Sequence, residues 1–365
     1  MTKTLLIAAG GTGGHMFPAA AFAEEMRKRG WKVVLMTDAR GRRYTANFPA
    51  DSIEDVPAAT IQSKNPVVVL QALMKIASGV SAAGKRLKAL DPAIVAGFGG
   101  YPSLPALWAA RAQKRPILIH EQNAVLGRVN RYFAKDAAAI ACGFDRLDRL
   151  PESAQARKHV VGNPVRPPIL AVREAPYPVV APGAPLNVLV TGGSQGARLF
   201  GDVVPVAVTL LSPDIRSRLK IVQQVREEQI ESACAIYSEA KVDAELAAFF
   251  NDMGDRLKAA HLVVARAGAS SVTELQAAGR PSILVPLAIA ADDHQTANAE
   301  GVVQVGAADV ITEADFDPER LAALLQKRLA APHDLAVRAA AARAAGKPDA
   351  AQALADIAEG LAKSA

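Results

Sequence analysis

Apolar residues in this chain come in short continuous runs. Thr4–Ala8, Lys32–Thr37, Ala93–Ala96 and Pro116–His120 are four such runs in the first third of the sequence. Runs of this length that do not alternate with polar residues predict strands buried on both faces. The stretches between them carry apolar residues at helical spacing. Pro18 falls where the first turn of a helix is expected, and Gly30 is placed to end it. Strand and helix alternating in this way imply a parallel sheet covered by helices.

The pattern breaks and then restarts. Residues 164–185 contain Pro164, Pro167, Pro168, Pro176, Pro178, Pro182 and Pro185. Such density reads as an inter-domain linker without helix or central strand. After it, the apolar run Leu186–Val190 leads into Gly192-Gly193-Ser194-Gln195-Gly196, as Leu5–Ala8 leads into Gly10-Gly11-Thr12-Gly13-Gly14. Two glycine loops of the same form, each opening an α/β half, predict twin Rossmann-like domains, residues 1–163 and 164–348, with a cleft between them. The alanine-rich segment 319–365 has helical spacing interrupted near Pro332 and Gly346-Lys347-Pro348, which predicts two or three packing helices.

With 365 residues, half of them hydrophobic and 21% charged, the chain suits two soluble domains. No apolar run is expected to reach the ~20 residues of a membrane span, and Leu5–Ala9 is too short for a signal peptide. Cys142 and Cys234 make neither a disulfide framework nor a thiolate zinc site, and suit a cytosolic protein. The net charge of +6 is unevenly spread: residues 1–163 carry 23 Lys/Arg against 12 Asp/Glu, and the remainder carries 19 against 24. A basic N-terminal half suits an anionic membrane or a phosphorylated substrate. An aromatic content of 5% argues against a base-stacking platform for nucleic acid.

A strand that ends in glycines and feeds a helix offers backbone N–H groups, at the positive end of the helix dipole, to a phosphate. Loops 10–14 and 192–196 have this form, and Gly97-Phe98-Gly99-Gly100 follows a third strand. The Gly-Lys-[Ser/Thr] of a P-loop is absent. The dinucleotide pattern starting at Gly11 reaches Met16 where its last glycine belongs, although Asp38 could still serve as a ribose acid. Gly192–Gly196 also fits the Gly-x-Ser-x-Gly nucleophile elbow, so a serine hydrolase with Ser194 as nucleophile, and Asp252 with His261 or His294 as partners, stays open. Its place at the start of a domain, and its twin at Thr12, count against that reading.

Further polar clusters follow predicted strands. His120-Glu121-Gln122-Asn123 ends one, and Gly162-Asn163-Pro164-Val165-Arg166 begins the linker, where Arg166 could clamp a phosphate. After Leu262–Ala265 comes Arg266-Ala267-Gly268-Ala269-Ser270-Ser271, with Glu274 one turn on. This suits a helix N-terminus that also holds a ribose diol, and Ser271 with Glu274 equally fits a capping box. Asp292-Asp293-His294-Gln295-Thr296-Ala297-Asn298 follows Ser282–Pro286 and suits sugar hydroxyls better than a metal. The Asp-x-Asp of Asp315-Phe316-Asp317 reads as a helix N-cap.

Taken together, Gly10–His15, His120–Asn123, Gly162–Arg166, Gly192–Ala197 and Asp293–Ala299 resemble glycosyltransferase family 28, and in particular its bacterial peptidoglycan N-acetylglucosaminyltransferases. The resemblance implies a GT-B fold and inverting transfer of N-acetylglucosamine from UDP-GlcNAc to lipid I, the undecaprenyl-diphospho-MurNAc-pentapeptide, at the inner face of the cytoplasmic membrane. It implies no cofactor, no metal and no nucleic acid. It places the donor against Arg166, Ser194, Gln195 and Gly196, with Phe250 at the uracil edge. Ala269, Ser270, Ser271 and Glu274 would line the donor site, Glu274 on the ribose hydroxyls. His294, Gln295 and Asn298 would meet the sugar hydroxyls, and Thr12, Gly13, Gly14 and Asn123 would face sugar and acceptor. It also implies that the last helix, 349–363, crosses back to the first domain. Two departures stand out: Ala267 replaces a usual serine in the donor loop, and Pro102-Ser103-Leu104-Pro105 replaces a more glycine-rich stretch.

Inverting attack needs a base for the acceptor hydroxyl. His15, of a residue type that titrates near neutrality, is one candidate and Glu121 the other. A membrane-bound acceptor also requires contact with a bilayer. In Val67–Leu90 the residues Leu70, Leu73, Met74, Ala77 and Val80 recur at helical spacing beside Lys75, Lys85, Arg86 and Lys88. That face either packs on the sheet or leaves a few residues for an anionic lipid surface.

Overall fold

The computed structural model describes residues 2–59, 65–193 and 196–364. The chain divides into two compact units, Met1–Arg166 with Pro348–Ala365, and Pro167–Lys347. In the first, strands β1 (Thr4–Ala8), β2 (Lys32–Thr37), β3 (Ser52–Asp55), β4 (Ile94–Gly97), β5 (Ile117–Glu121), β6 (Ala139–Cys142) and β7 (Lys158–Val160) form one sheet in the order 3-2-1-4-5-6-7. Every pairing is parallel, with Leu6 of β1 between Val34 and Val95. Side chains alternate between two cores: Leu6, Ala8, Val95 and Ile119 point to one, Leu5, Ile7, Ala96 and Leu118 to the other. This is why the strands read as unbroken apolar runs.

Helix α1 (Gly13–Lys28) starts earlier than the sequence predicts. Thr12 is its extended N-cap residue, and the amides of His15 and Met16 bond back to the Thr12 carbonyl. Pro18 therefore sits inside the helix, not in its first turn, where its missing N–H leaves one rung unmade. The other end is as expected. Gly30 has φ +81°, its N–H reaches the Arg27 carbonyl, and that of Trp31 reaches Met26, a Schellman stop.

Helix α2 (Pro66–Leu90), capped by the Asn65 side chain on the Val67 amide, departs further. It is long and apolar enough to cross a membrane by length and composition alone, contrary to the sequence expectation; one such helix is weak evidence of a span. Only Gly79, Ala83 and Leu87 are buried, all in its second half, which packs on α3 (Leu104–Ala112). Leu70, Leu73 and Met74 are 57%, 49% and 57% exposed.

The proline-rich segment also differs from expectation. Helix α5 (Pro167–Glu174) lies within it, after the shorter α4 (Arg128–Phe133) of the first unit. Pro167 and Pro168 occupy its first two positions, where no N–H is needed, and the next proline, Pro176, comes after its end.

The second unit repeats the plan. Strands β8 (Leu186–Thr191), β9 (Leu219–Gln224), β10 (Asp243–Ala247), β11 (Leu262–Ala265), β12 (Ser282–Leu284) and β13 (Ala308–Val310) form a parallel sheet in the order 10-9-8-11-12-13. Helices α6 (Arg198–Thr209), α7 (Pro213–Arg218), α8 (Ile230–Glu239), α9 (Met253–Ala259), α10 (Ala269–Ala278) and α11 (His294–Gln304) alternate with the strands. The glycine-ended strands β1 and β8 hold the same third position in their sheets.

The tail forms three helices: α12 (Pro318–Leu329), α13 (Pro332–Ala345) and α14 (Ala350–Ser364). The last belongs to the first unit and packs on α1, burying Leu354, Ala355 and Ala358. Arg29 bonds Asp356 at 2.6 Å, and the Trp31 indole N–H donates to Glu359 at 3.1 Å.

Candidate functional site

In the first unit the site is built where β1, β4 and β5 end. Gly10 leaves no room for a side chain: a Cβ there would lie 2.7 Å from Pro102. Thr12 precedes α1 as its N-cap residue, Gly13 and Gly14 open the helix, and the Thr12 side chain makes no cap hydrogen bond. His15, one residue on, directs Nδ1 at the Gln122 Oε1, 3.0 Å away. The Gln122 amide nitrogen lies 3.0 Å from His120 Nδ1 and 3.1 Å from the His120 carbonyl. His120 Nε2 is 3.1 Å from the Gly162 carbonyl. His120 is fully buried, and burial pushes its imidazole down to about 4, the Gly162 bond offsetting only part of that cost. Asn163 donates to the Gln122 carbonyl at 3.0 Å, so the strand end carrying His120–Asn123 is bonded to Gly162 and Asn163.

Glu121 is buried and fully engaged. One oxygen accepts from the Asn123 backbone and side-chain nitrogens, at 3.0 and 3.2 Å; the other accepts from the Gly127 amide and the Asn130 side chain, at 2.9 and 2.8 Å. It braces the turn from β5 into α4, and Asn123 belongs to that brace. The Arg166 guanidinium lies over the Phe17 ring, 4.4 Å from its centre, and Phe17 meets Tyr44 edge to face.

In the second unit the loop after β8 turns at Gly193 and Gly196, with φ +79° and +67°. Ser194 and Gln195 lie outside the described residues. Gln224 holds the start of the loop, its Oε1 accepting from the Gly192 amide and the Thr191 hydroxyl, both at 3.1 Å. Ala197 is the N-cap residue of α6 and has no side-chain acceptor for the first amides of that helix.

Helix α10 likewise begins after Gly268 with no side-chain cap. The capping box of Ser271 with Glu274 does not form, because the helix starts two residues earlier, at Ala269, and Ser271 is already helical. The Ser270 hydroxyl is buried, with no hydrogen-bond partner among the described residues. Phe250 is buried beneath the Arg256 guanidinium, 4.9 Å from the ring centre.

Helix α11 follows two left-handed residues, Asp292 and Asp293, with φ +57° and +52°. His294 opens it. Gln295 accepts from the Leu287 amide at 3.0 Å, and buried Asn298 donates to the Ala267 carbonyl at 3.1 Å, tying α11 to the loop before α10. Beneath that loop, Arg266 pairs with Glu313 at 2.8 Å, and Glu313 also accepts from the Ala288 amide at 2.6 Å. Burial would raise the Glu313 carboxyl, but Ala288 and Arg266 outweigh it and hold the pKa down. Replacing Glu313 with alanine should strand a buried guanidinium and lower stability by about 3 kcal/mol. Urea unfolding of the two proteins measures this, and coincident midpoints would contradict it.

Two of the partners that the hydrolase reading offered are engaged elsewhere. His261 precedes β11 and its Nδ1 accepts from the Asn187 amide at 2.9 Å, at the end of the sheet away from the loop after β8. Asp252 is bonded to Arg256 at 2.9 Å. Asp317 caps α12 on the Arg320 amide, and no cluster of metal-ligating side chains occurs among the described residues. Two groups that shape the site, Asn130 and Gln224, were not among the sequence candidates, and His120 and Gln122 were named there within a polar cluster but given no role. The spacing of His120 and Gln122, on one face at a strand end, is the signal that could have paired them.

Comparison with known proteins bears on the whole chain. The glycosyltransferase family 28 N-terminal domain model matches residues 5–142, and the C-terminal domain model matches residues 187–354. A relative from Maricaulis maris, named UDP-N-acetylglucosamine--N-acetylmuramyl-(pentapeptide) pyrophosphoryl-undecaprenol N-acetylglucosamine transferase, is 51% identical over 359 residues, covering 98% of each chain. One of the same name from Caulobacter vibrioides is 50% identical over 363 residues, covering 100% of each. The crystal structure of Acinetobacter baumannii MurG aligns with a TM-score of 0.78 at 32% identity, covering 97% of this chain and 98% of that one. The two parallel-sheet α/β units are those of a GT-B fold, and the chain belongs to glycosyltransferase family 28.

Proposed function

We propose that this protein transfers N-acetylglucosamine from UDP-GlcNAc to the 4-hydroxyl of MurNAc in lipid I, releasing UDP and forming lipid II. The observation that carries the reading is the full-length match, at about half identity, to transferases named for that reaction. The second unit binds the donor. The start of α6 and the Ser194–Gly196 loop take the diphosphate. The start of α10, with Ser270, Ser271 and Glu274, takes the ribose, and Phe250 borders the uracil. His294, Gln295 and Asn298 serve the sugar, Asn298 by holding the Ala267 loop in place.

The acceptor hydroxyl attacks the anomeric carbon opposite the leaving diphosphate, through an oxocarbenium-like transition state. As the bond to UDP breaks, negative charge grows on the phosphate, and fixed amides at helix starts stabilise it without reorganising. His15 takes the acceptor proton. Among the described residues its Nε2 makes no hydrogen bond, whereas Glu121 already accepts four hydrogen bonds and is assigned to bracing. Purified protein given radiolabelled UDP-GlcNAc and a lipid I analogue should form labelled lipid II. Labelling of Ser194 by a fluorophosphonate, with no product, would restore the hydrolase reading.

The protein works as a peripheral protein at the inner leaflet. The exposed half of α2, with Val67, Leu70, Leu73 and Met74, enters the interface, while Lys75, Lys85, Arg86 and Lys88 meet anionic headgroups. Leu70→Glu with Leu73→Glu should reduce binding to anionic liposomes by roughly tenfold or more and leave the unfolding midpoint unchanged. Flotation assays in high salt check this; equal binding of both proteins would remove α2 from the membrane contact.

A further inference from the structure

We propose that Gln122 and His120 are positioning residues for transfer: with the Gly162 carbonyl they form a one-way hydrogen-bond relay that fixes the His15 proton on Nδ1 and its lone pair on Nε2. The proposal rests on the reading of His15 as base.

The direction of the relay follows from which groups can donate. At its buried end, His120 Nε2 faces a carbonyl oxygen at 3.1 Å, which can only accept, so Nε2 carries the hydrogen. A neutral imidazole has one N–H, so His120 Nδ1 holds a lone pair. The partner of that lone pair, 3.0 Å away, must donate, and Gln122 can do so only through its amide NH2. The second hydrogen of that NH2 goes to the His120 carbonyl at 3.1 Å, a second acceptor that agrees with the same amide orientation. Gln122 therefore presents Oε1 to His15, 3.0 Å from Nδ1, and an amide oxygen only accepts. Nδ1 of His15 must carry the proton.

The consequence lies at the other nitrogen. Nε2 keeps its lone pair on the ring edge that lies against Gly100, where a Cβ would come within 3.4 Å. Without the relay, an exposed histidine can place its hydrogen on either nitrogen, and the fraction holding it on Nε2 cannot accept a proton there. The relay also sets the ring plane, since Nδ1 must stay in line with an oxygen carried by a strand end. That strand end is itself held by Asn163 and by the Glu121 brace. Phe98 packs beside the His120 ring with centroids 5.1 Å apart, limiting its rotation.

The direct test is nitrogen NMR of the histidine side chains in the full-length protein at a pH where His15 is neutral, with the His15 signal assigned by His15→Ala. The expected signature is an Nδ1–H tautomer at His15 and an Nε2–H tautomer at His120. Gln122→Leu should abolish the His15 preference and lower kcat by about 10- to 100-fold with little change in KM for UDP-GlcNAc. Gln122→Glu still accepts from Nδ1–H but offers no donor to His120, so it should keep the His15 tautomer and recover only part of the turnover. A His15 Nε2–H tautomer in the parent protein, or Gln122→Leu with parental tautomer and kcat, would overturn the relay. Parental turnover in His15→Ala would instead overturn the base assignment, and the tautomer measurement separates the two failures.

Discussion

Replacing His15 with alanine should lower kcat by about 10²–10⁴-fold while KM for UDP-GlcNAc changes little. The size follows from the role. A hydroxyl attacking carbon must lose its proton as the bond forms, and without a placed base that proton passes to water. The separation of kcat from KM follows from location. His15 lies in the first turn of α1 in the first unit, whereas the proposed donor groups Ser270, Glu274 and Gln295 belong to the second. The fold should survive the change, because His15 is only half-buried and, among the described residues, its one side-chain hydrogen bond goes to Gln122. Steady-state kinetics with both substrates varied gives the two parameters. A variant with normal kcat and raised donor KM would mean that His15 binds the donor and moves no proton. Glu121→Gln makes a useful contrast: its loss should appear first as lowered stability, since four donors converge on that carboxylate.

Much of the architecture is legible in the sequence because parallel strands buried on both faces leave an unbroken apolar signature. Lys32–Thr37 and Leu262–Ala265 are strands with the bounds the sequence predicts, and Thr4–Ala8 is another. The glycine loops are legible for a related reason, since turning a strand sharply into a helix leaves little space for side chains. The features that escape a reading of the sequence depend on contacts between distant residues. Pro167 and Pro168 could equally break a helix or begin one, and proline count alone cannot decide between the two. The exposure of Leu70 and Met74 depends on where α2 meets the domain, which its periodicity does not reveal. In the candidate site, single catalytic-type residues such as His15 and Glu121 can be picked out, but not how they divide the work. Glu121 looks like a base until Asn130, nine residues on, is seen to occupy it, and Gln122 gains meaning only from the two histidines it joins.

Arg280 is the extreme case of this kind, and replacing it with methionine should cost about 3–5 kcal/mol of stability. In sequence it lies between Gly279 and Pro281, the setting of a solvated turn. In the fold it is 2% exposed, with no carboxylate partner among the described residues. Its guanidinium donates to four backbone carbonyls: Leu257 at 2.6 Å, Lys258 at 3.1 Å, Ala278 at 2.7 Å and Gly279 at 3.1 Å. The first two lie in the last turn of α9 and the others at the end of α10, so one cation caps the negative ends of two helices. Burial pushes its pKa down to about 10, with Tyr177 countering the fall and Arg343 adding to it. Methionine fills similar volume but donates nothing, and all four carbonyls lose a partner inside the core. Lysine, with three donors and no planar fork, should recover only part of the loss. The same helices open at the proposed donor site, α9 just after Phe250 and α10 at Ala269, so loosening their far ends should also raise KM for UDP-GlcNAc more than it lowers kcat. Urea unfolding of the methionine and lysine variants, together with donor saturation curves, tests both parts. An unshifted unfolding midpoint would mean that water or neighbouring amides replace the guanidinium, and the coupling of the two helices through Arg280 would then have no basis.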